Sequence, residues 1–196
     1  MYQGEGHKGI EYNDSVNPEK IDTILLTHTH LDHDGALPLF VRHGYNKSIY
    51  MSESSASVID IGLYDSYNIM KRDAKLKGRP VLFSEKDIEQ TLAKIKPLKY
   101  EETVSIHSNI TVTFFNNGHL IGASVILVQI DDPRGIINLL YMGDYKPDNI
   151  FLNIKPFPSW VYALPNLTII SESTYGSTNS WDIEHTWEDD IIEACS

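Results

Sequence analysis

The chain has 196 residues, 41% of them hydrophobic, enough for one domain with a sizeable core. Its formal charge of −11, from 27 acidic and 16 basic residues, argues against a general electrostatic hold on nucleic acid. A single cysteine, Cys195, rules out an internal disulfide framework, and neither a signal peptide nor an apolar bilayer-length stretch is present, so the cytoplasm is the expected compartment.

Ile24-Leu25-Leu26-Thr27 is apolar and β-prone and predicts a strand over 23–27. It runs into His28-Thr29-His30-Leu31-Asp32-His33, three imidazoles and a carboxylate within one short turn. In extended backbone, side chains at i and i+2 point to the same side, so His28 and His30 can grip one ion while Asp32 and His33 face a second position. Asp34-Gly35, followed by Leu37, Phe40 and Val41, reads as a turn into an amphipathic helix over 33–43, where His43 before Gly44 suits a C-terminus without any metal role.

A strand over 48–51 leads to a long helix over 53–77 that opens at the Ser52 to Ser55 caps. Lys71, Arg72, Lys75, Lys77 and Arg79 cluster at its end and read either as a solvated face or as a phosphate contact. Tyr64 and Tyr67 read either as packing residues or as stacking platforms for bases. Ser84 and Asp87 cap a helix over 85–95 that carries Ile88, Leu92 and Ile95 and stops before Pro97. Strands over 103–107 and 110–116 flank a tight turn at Ser108-Asn109, and His107 alternates within the first as a structural residue.

His119 sits in Asn116-Asn117-Gly118-His119-Leu120-Ile121-Gly122-Ala123-Ser124, a glycine-flanked loop at a strand end, where sites are readily carried. Strands over 124–130 and 136–142 flank a hairpin loop at 131–135, and the second ends in Gly143-Asp144. Taken alone, His119 is as readily a hydrogen-bonded loop histidine, and Asp144 a turn or cap aspartate. A strand over 167–172 and a helix over 186–195, capped by Thr186 and Asp189, complete the expected elements.

The order H-x-H-x-D-H, then G-H-x-x-G-A, then G-D, each at a strand end, resembles the metallo-β-lactamase superfamily. Ser171-Glu172-Ser173-Thr174-Tyr175-Gly176 resembles the β-CASP branch of RNA-processing nucleases, in the form similar to the endonuclease subunit of the cleavage and polyadenylation specificity factor and its prokaryotic relatives. The resemblance runs from about Tyr2 to the C-terminus and implies an α/β fold, a metallo-β-lactamase αββα sandwich. That sandwich is expected to be partial: 1–176 as the lactamase domain without its first strands and returning half, and 177–196 as the start of a β-CASP domain.

The resemblance further implies a zinc-dependent phosphodiester hydrolase acting on RNA, with two Zn²⁺ ions per complete site. His28, His30 and His119 would hold one ion, Asp32 and His33 the other, and Asp144 would bridge them. Two such ions lower the pKa of water from 15.7 to about 7, and Asp32 would also orient the resulting nucleophile. Glu172 falls on an acidic motif that in the family orients a later histidine near the leaving group; His185 lies at the wrong spacing for that role. RNA is the implied partner, with single-stranded DNA as an alternative, no membrane, and a homodimer left open. The isolated chain is expected to cleave slowly and to associate through uncovered apolar surface. Two rival readings are a small-molecule hydrolase of the glyoxalase II or lactonase type, which carries T-P-G-H where this chain has Asn116-Asn117-Gly118-His119, and a non-catalytic scaffold subunit.

Overall fold

The computed structural model describes residues 16–146, 149, 152 and 154–174. Tyr2 to Gly4, Tyr175, Gly176, His185, Cys195 and the expected helix over 186–195 lie outside the described residues. A parallel sheet contains β1 (Ile24–Leu25), β2 (Ile49–Ser52) and β3 (Ile95–Leu98) in that order. A second, mixed sheet runs β4 (Thr103–His107), β5 (Ile110–Asn116), β6 (Ser124–Asp132), β7 (Gly135–Tyr141) and β8 (Leu167–Ile170). Its pairs are antiparallel except β7 with β8, which is parallel.

Alternation along β5 explains how the sheets stack. Val112 and Phe114 turn toward the first sheet and bury with Leu98 and Ile126 against Leu25 and Tyr50. Phe115 turns the other way and buries with Val125, Leu127 and Leu140 beneath Val161 of α6 (Ser159–Tyr162). The outer face of the parallel sheet is covered by α2 (Leu37–Arg42), α4 (Ile59–Lys77) and α5 (Glu85–Leu92), whose Leu37, Ile59, Leu63 and Ile88 pack on Leu26, Ile49 and Met51. Two short helices, α1 (Leu31–Asp34) and α3 (Glu53–Ala56), complete the helix–sheet–sheet–helix layering, the αββα arrangement expected from the sequence.

Three expected elements differ. The helix over 85–95 ends at Leu92, and Ile95 instead opens β3, paired with Ile49. The 88–92–95 spacing continues a helical period, but pairing with β2 overrides it, and Pro97 is accommodated because β3 is an edge strand of this sheet. The helix over 53–77 is two helices: the Ser52 hydroxyl accepts the Ser55 N–H at 3.1 Å and caps α3, so the long helix starts only at Ile59. The helix over 33–43 likewise divides at Gly35-Ala36. The hairpin loop at 131–135 is tighter than expected, since Asp132 already pairs with Gly135 across Pro133-Arg134.

The fold brings three loops to one edge of the sandwich. The carbonyl of Thr27, two residues past β1, accepts a backbone hydrogen bond from Ser124 at the start of β6 at 2.9 Å, which joins the segment after the first sheet to the second sheet. The β5–β6 loop is closed by Ala123 N–H donating to Leu120 and by Asn117 N–H donating to Ala123.

Candidate metal centre

One donor atom from each of His28, His30, His119 and Asp144 lies within 4.8 Å of the others. His30 Nδ1 is 3.1 Å from His28 Nε2 and 3.0 Å from His119 Nε2. Asp144 Oδ2 completes the group at 3.7 Å from His28 Nε2 and 3.6 Å from His119 Nε2. The other oxygen of the same carboxylate, Oδ1, is 3.4 Å from His33 Nε2, and His33 is in turn 3.7 Å from Asp32 Oδ2. Asp144 therefore stands between two donor groups, facing three imidazoles with one oxygen and the His33–Asp32 pair with the other. All six residues picked out as ligands in the sequence meet at this place.

Protons are disfavoured on two of the imidazoles, His28 and His119. His28 is fully buried, and its pKa falls to about 3, first through desolvation and then through the neighbouring imidazoles of His33, His119 and His30. His119 is lowered as well, again chiefly by burial and then by His30. Nδ1 of His28 lies 3.0 Å from the Thr27 hydroxyl, so with the proton on Nδ1 it donates there and leaves the Nε2 lone pair directed into the cluster. Converging lone pairs and a carboxylate, with few protons to share, are the donor set that a metal ion fits.

Residues without an assigned role in the sequence hold these candidate ligands. Asn117, fully buried, donates from Nδ2 to the carbonyls of Met142 at 3.1 Å and Asp144 at 2.8 Å, and its Oδ1 accepts the His119 N–H at 3.0 Å. Gly118 has φ +78°, and a Cβ there would stand 2.2 Å from the Lys146 carbonyl, so glycine is required for the His119 loop to lie against the Asp144 loop. Gly122 has φ +89° with the backbone N of Ser55 only 2.5 Å from a would-be Cβ, and its carbonyl accepts from the hydroxyls of Ser52 at 2.6 Å and Ser55 at 2.9 Å. The G-H-x-x-G spacing thus marks two close backbone approaches on either side of His119.

Glu172 is exposed on the rim. Its Oε1 accepts the Tyr145 N–H at 2.8 Å and its Oε2 the Thr174 hydroxyl. These two bonds, Thr174 first, hold its pKa below the ordinary value. The structure thus joins Glu172 to the residue after Asp144. His107 is exposed on β4 with Nδ1 2.7 Å from Asn109 Oδ1, far in the topology from the cluster. Tyr67 stacks on Phe83 with ring centroids 6.3 Å apart, and Tyr64 packs on the helix-side core, so the packing reading applies to both.

Asp34, adjacent to the candidate ligands, is buried, and its Oδ2 has no hydrogen-bond partner among the described residues. Burial raises its pKa from 3.8 to about 7. A raised carboxyl favours folding below pH 3.8, and that contribution is lost as pH rises through about 7. Asp34→Asn should therefore stabilise the metal-free chain by about 2–4 kcal/mol at pH 8 relative to wild type, and much less at pH 5. Thermal unfolding in chelator at the two pH values checks this; an equal gap between variant and wild type at both would refute it.

The model of the metallo-beta-lactamase superfamily domain matches residues 5–152. The chain belongs to this superfamily. Among curated proteins, this superfamily member is 31% identical to transcription termination factor FttA of Methanosarcina mazei over 163 residues, 83% of this chain and 24% of that protein. It is 30% identical to a ribonuclease of Thermus thermophilus over 178 residues, 90% of this chain and 37% of that one. It is also 30% identical to cleavage and polyadenylation specificity factor subunit 3-I of Arabidopsis thaliana, over 87% of this chain and 23% of the relative. The chain spans roughly a quarter to just over a third of the length of these relatives. No helix among the described residues is long and apolar enough to cross a membrane.

Proposed function

We propose that this lactamase-fold chain forms the metal-binding core of a zinc-dependent phosphodiester hydrolase of the β-CASP type that acts on RNA. The observation that carries the reading is the carboxylate of Asp144 set between the His28–His30–His119 group and the His33–Asp32 pair. A shared carboxylate flanked by two donor sets suits a pair of divalent ions, and an imidazole-rich set with carboxylate oxygens suits zinc. RNA as substrate rests on the similarity to a ribonuclease and to a cleavage and polyadenylation factor subunit. That similarity, together with Asn116-Asn117-Gly118-His119 in place of T-P-G-H, favours RNA over the small substrates of the glyoxalase II or lactonase type. The ligand-bearing region is read as one lactamase domain over 1–176, followed by the start of a β-CASP domain.

Zinc at both positions would supply Lewis acidity toward the phosphate and a water whose pKa is lowered to about 7. The chain's own side chains do the rest. His28 and His119, whose pKa values are lowered by burial, present lone pairs rather than protons, so metal binding displaces little from them. Asp32, the more exposed member of its pair with 46% of its side chain accessible, would orient the nucleophilic water as well as bind metal. Glu172, through Tyr145, holds the peptide that follows Asp144 and so acts as a positioning residue.

Metal content tests the proposal. The purified chain is expected to carry zinc, held more tightly at His28, His30, His119 and Asp144, and the His28→Ala, His30→Ala double variant is expected to lose that ion. Elemental analysis showing unchanged zinc in the variant would sink the ligand assignment, and metal-loaded protein that hydrolyses a small-molecule thioester or lactone but binds and cleaves no RNA would sink the substrate assignment.

A further inference from the structure

Residues 71–79 hold five of the chain's 16 basic residues and one of its 27 acidic ones. This nine-residue stretch thus carries +4 in a chain whose total is −11. It forms the last turns of α4 and the residues just beyond, where Gly78 in the left-handed conformation turns the chain back.

Local ion pairs account for part of the cluster. Asp73 is shared by Lys77 at 3.0 Å and Arg79 at 3.5 Å, and Lys71 lies 3.8 Å from Glu85 and 4.9 Å above the Tyr67 ring. Arg72 and Lys75, both exposed, enter no ion pair among the described residues. The helix dipole rewards cations near a C-terminus, but its charge is only about −0.5 and its effect fades within one turn. That leaves most of the +4 without a counter-charge. Ile69, Arg72 and Leu76 share a face at i, i+3 and i+7, and the two aliphatic side chains are 41% and 73% exposed. Exposed cations without a local counter-charge suit the phosphate backbone of a nucleic-acid strand.

The helix also points the right way. Its first turns lie beside the metal centre, because α1, which carries Asp32 and His33, packs on α4, and α3 abuts Gly122 in the His119 loop. Ile59 to Lys75 spans about 24 Å at 1.5 Å per residue.

We propose that the C-terminal face of α4, centred on Arg72 and Lys75, binds the phosphate backbone of single-stranded RNA several nucleotides away from the metal centre. This rests on the reading of the chain as an RNA hydrolase and adds where the strand runs. At about 3.4 Å per stacked nucleotide, 24 Å corresponds to about seven nucleotides, so the contact is reached only by longer substrates.

The test uses the full chain loaded with zinc and binding rather than cleavage as readout. Fluorescence anisotropy compares phosphorothioate-linked single-stranded RNAs of 4 and 16 nucleotides between about 50 and 200 mM salt, the range over which phosphate contacts dominate affinity. Arg72→Glu with Lys75→Glu is expected to weaken 16-mer binding about tenfold or more and to reduce the salt slope by about 1.4, two contacts at about 0.7 each. The 4-mer and the zinc content should be unchanged, and Arg72→Lys should keep the wild-type slope. A 16-mer bound equally well by the charge-reversed variant overturns the proposal, as does wild-type protein that binds no RNA. Polyglutamate competing as well as RNA also overturns it and points to an acidic protein partner. If a separate assay on phosphodiester RNA finds no hydrolysis by any form but the charge reversal still abolishes 16-mer binding, the α4 contact stands and the hydrolase reading falls.

Discussion

Asp144→Asn is expected to reduce bound zinc to one weakly held ion or none and to lower phosphodiester hydrolysis by at least about 10³-fold, several kcal/mol of charge stabilisation at about 1.36 kcal/mol per tenfold. The amide keeps the shape of the side chain but not its charge. It removes an anionic oxygen from His28 and His119 on one side and from His33 on the other, so one substitution reaches both donor groups. His33→Ala, by contrast, removes a donor from the second group alone. The contrast is the check: elemental analysis of both variants should show His33→Ala retaining the ion at His28, His30 and His119, and Asp144→Asn retaining little of either. Equal zinc in the two variants would mean that the carboxylate is not shared.

Such effects are readable from sequence to the extent that local spacing controls them. His28 and His30 converge because two residues of extended backbone put them on one side, and His33 and Asp32 follow in the first turn of a helix; both are short-range facts. His119 and Asp144 carry no such signal, and only the shared order of strand ends pointed to them. The residues that hold them were not legible. Asn117 reads as one of two loop asparagines, and its role depends on contacts to Met142 and Asp144, 25 and 27 positions away. Thr27 reads as a β-former, yet its hydroxyl meets His28 and its carbonyl takes the Ser124 bond that joins the sheets. The fold followed the same division. Strands such as β5 and β6 were visible as β-prone apolar runs bounded by loop residues, whereas β3 was hidden because Ile88, Leu92 and Ile95 continue a helical spacing and only pairing with β2 decides otherwise.

Asn117 gives the second large effect. Its side chain is fully buried and makes three hydrogen bonds, donating to two carbonyls and accepting one N–H, so its amide orientation is fixed by its partners. Asn117→Ala leaves those three backbone groups unpaired in the interior, at about 1–3 kcal/mol each without strict additivity, and a net loss of about 3–5 kcal/mol is expected. Asn117→Asp is nearly the same size and should be at least as damaging at neutral pH. A carboxylate cannot donate to the Met142 and Asp144 carbonyls, and it brings a buried negative charge against both. Because the same side chain ties the His119 loop to the Asp144 loop, zinc affinity should fall about 10–100-fold in either variant, the range seen when groups that orient ligands are removed. Thermal unfolding of metal-free protein and competition with a chromophoric chelator measure the two effects separately. An Asp variant with wild-type stability and wild-type zinc affinity would show that the amide does not hold the two loops together.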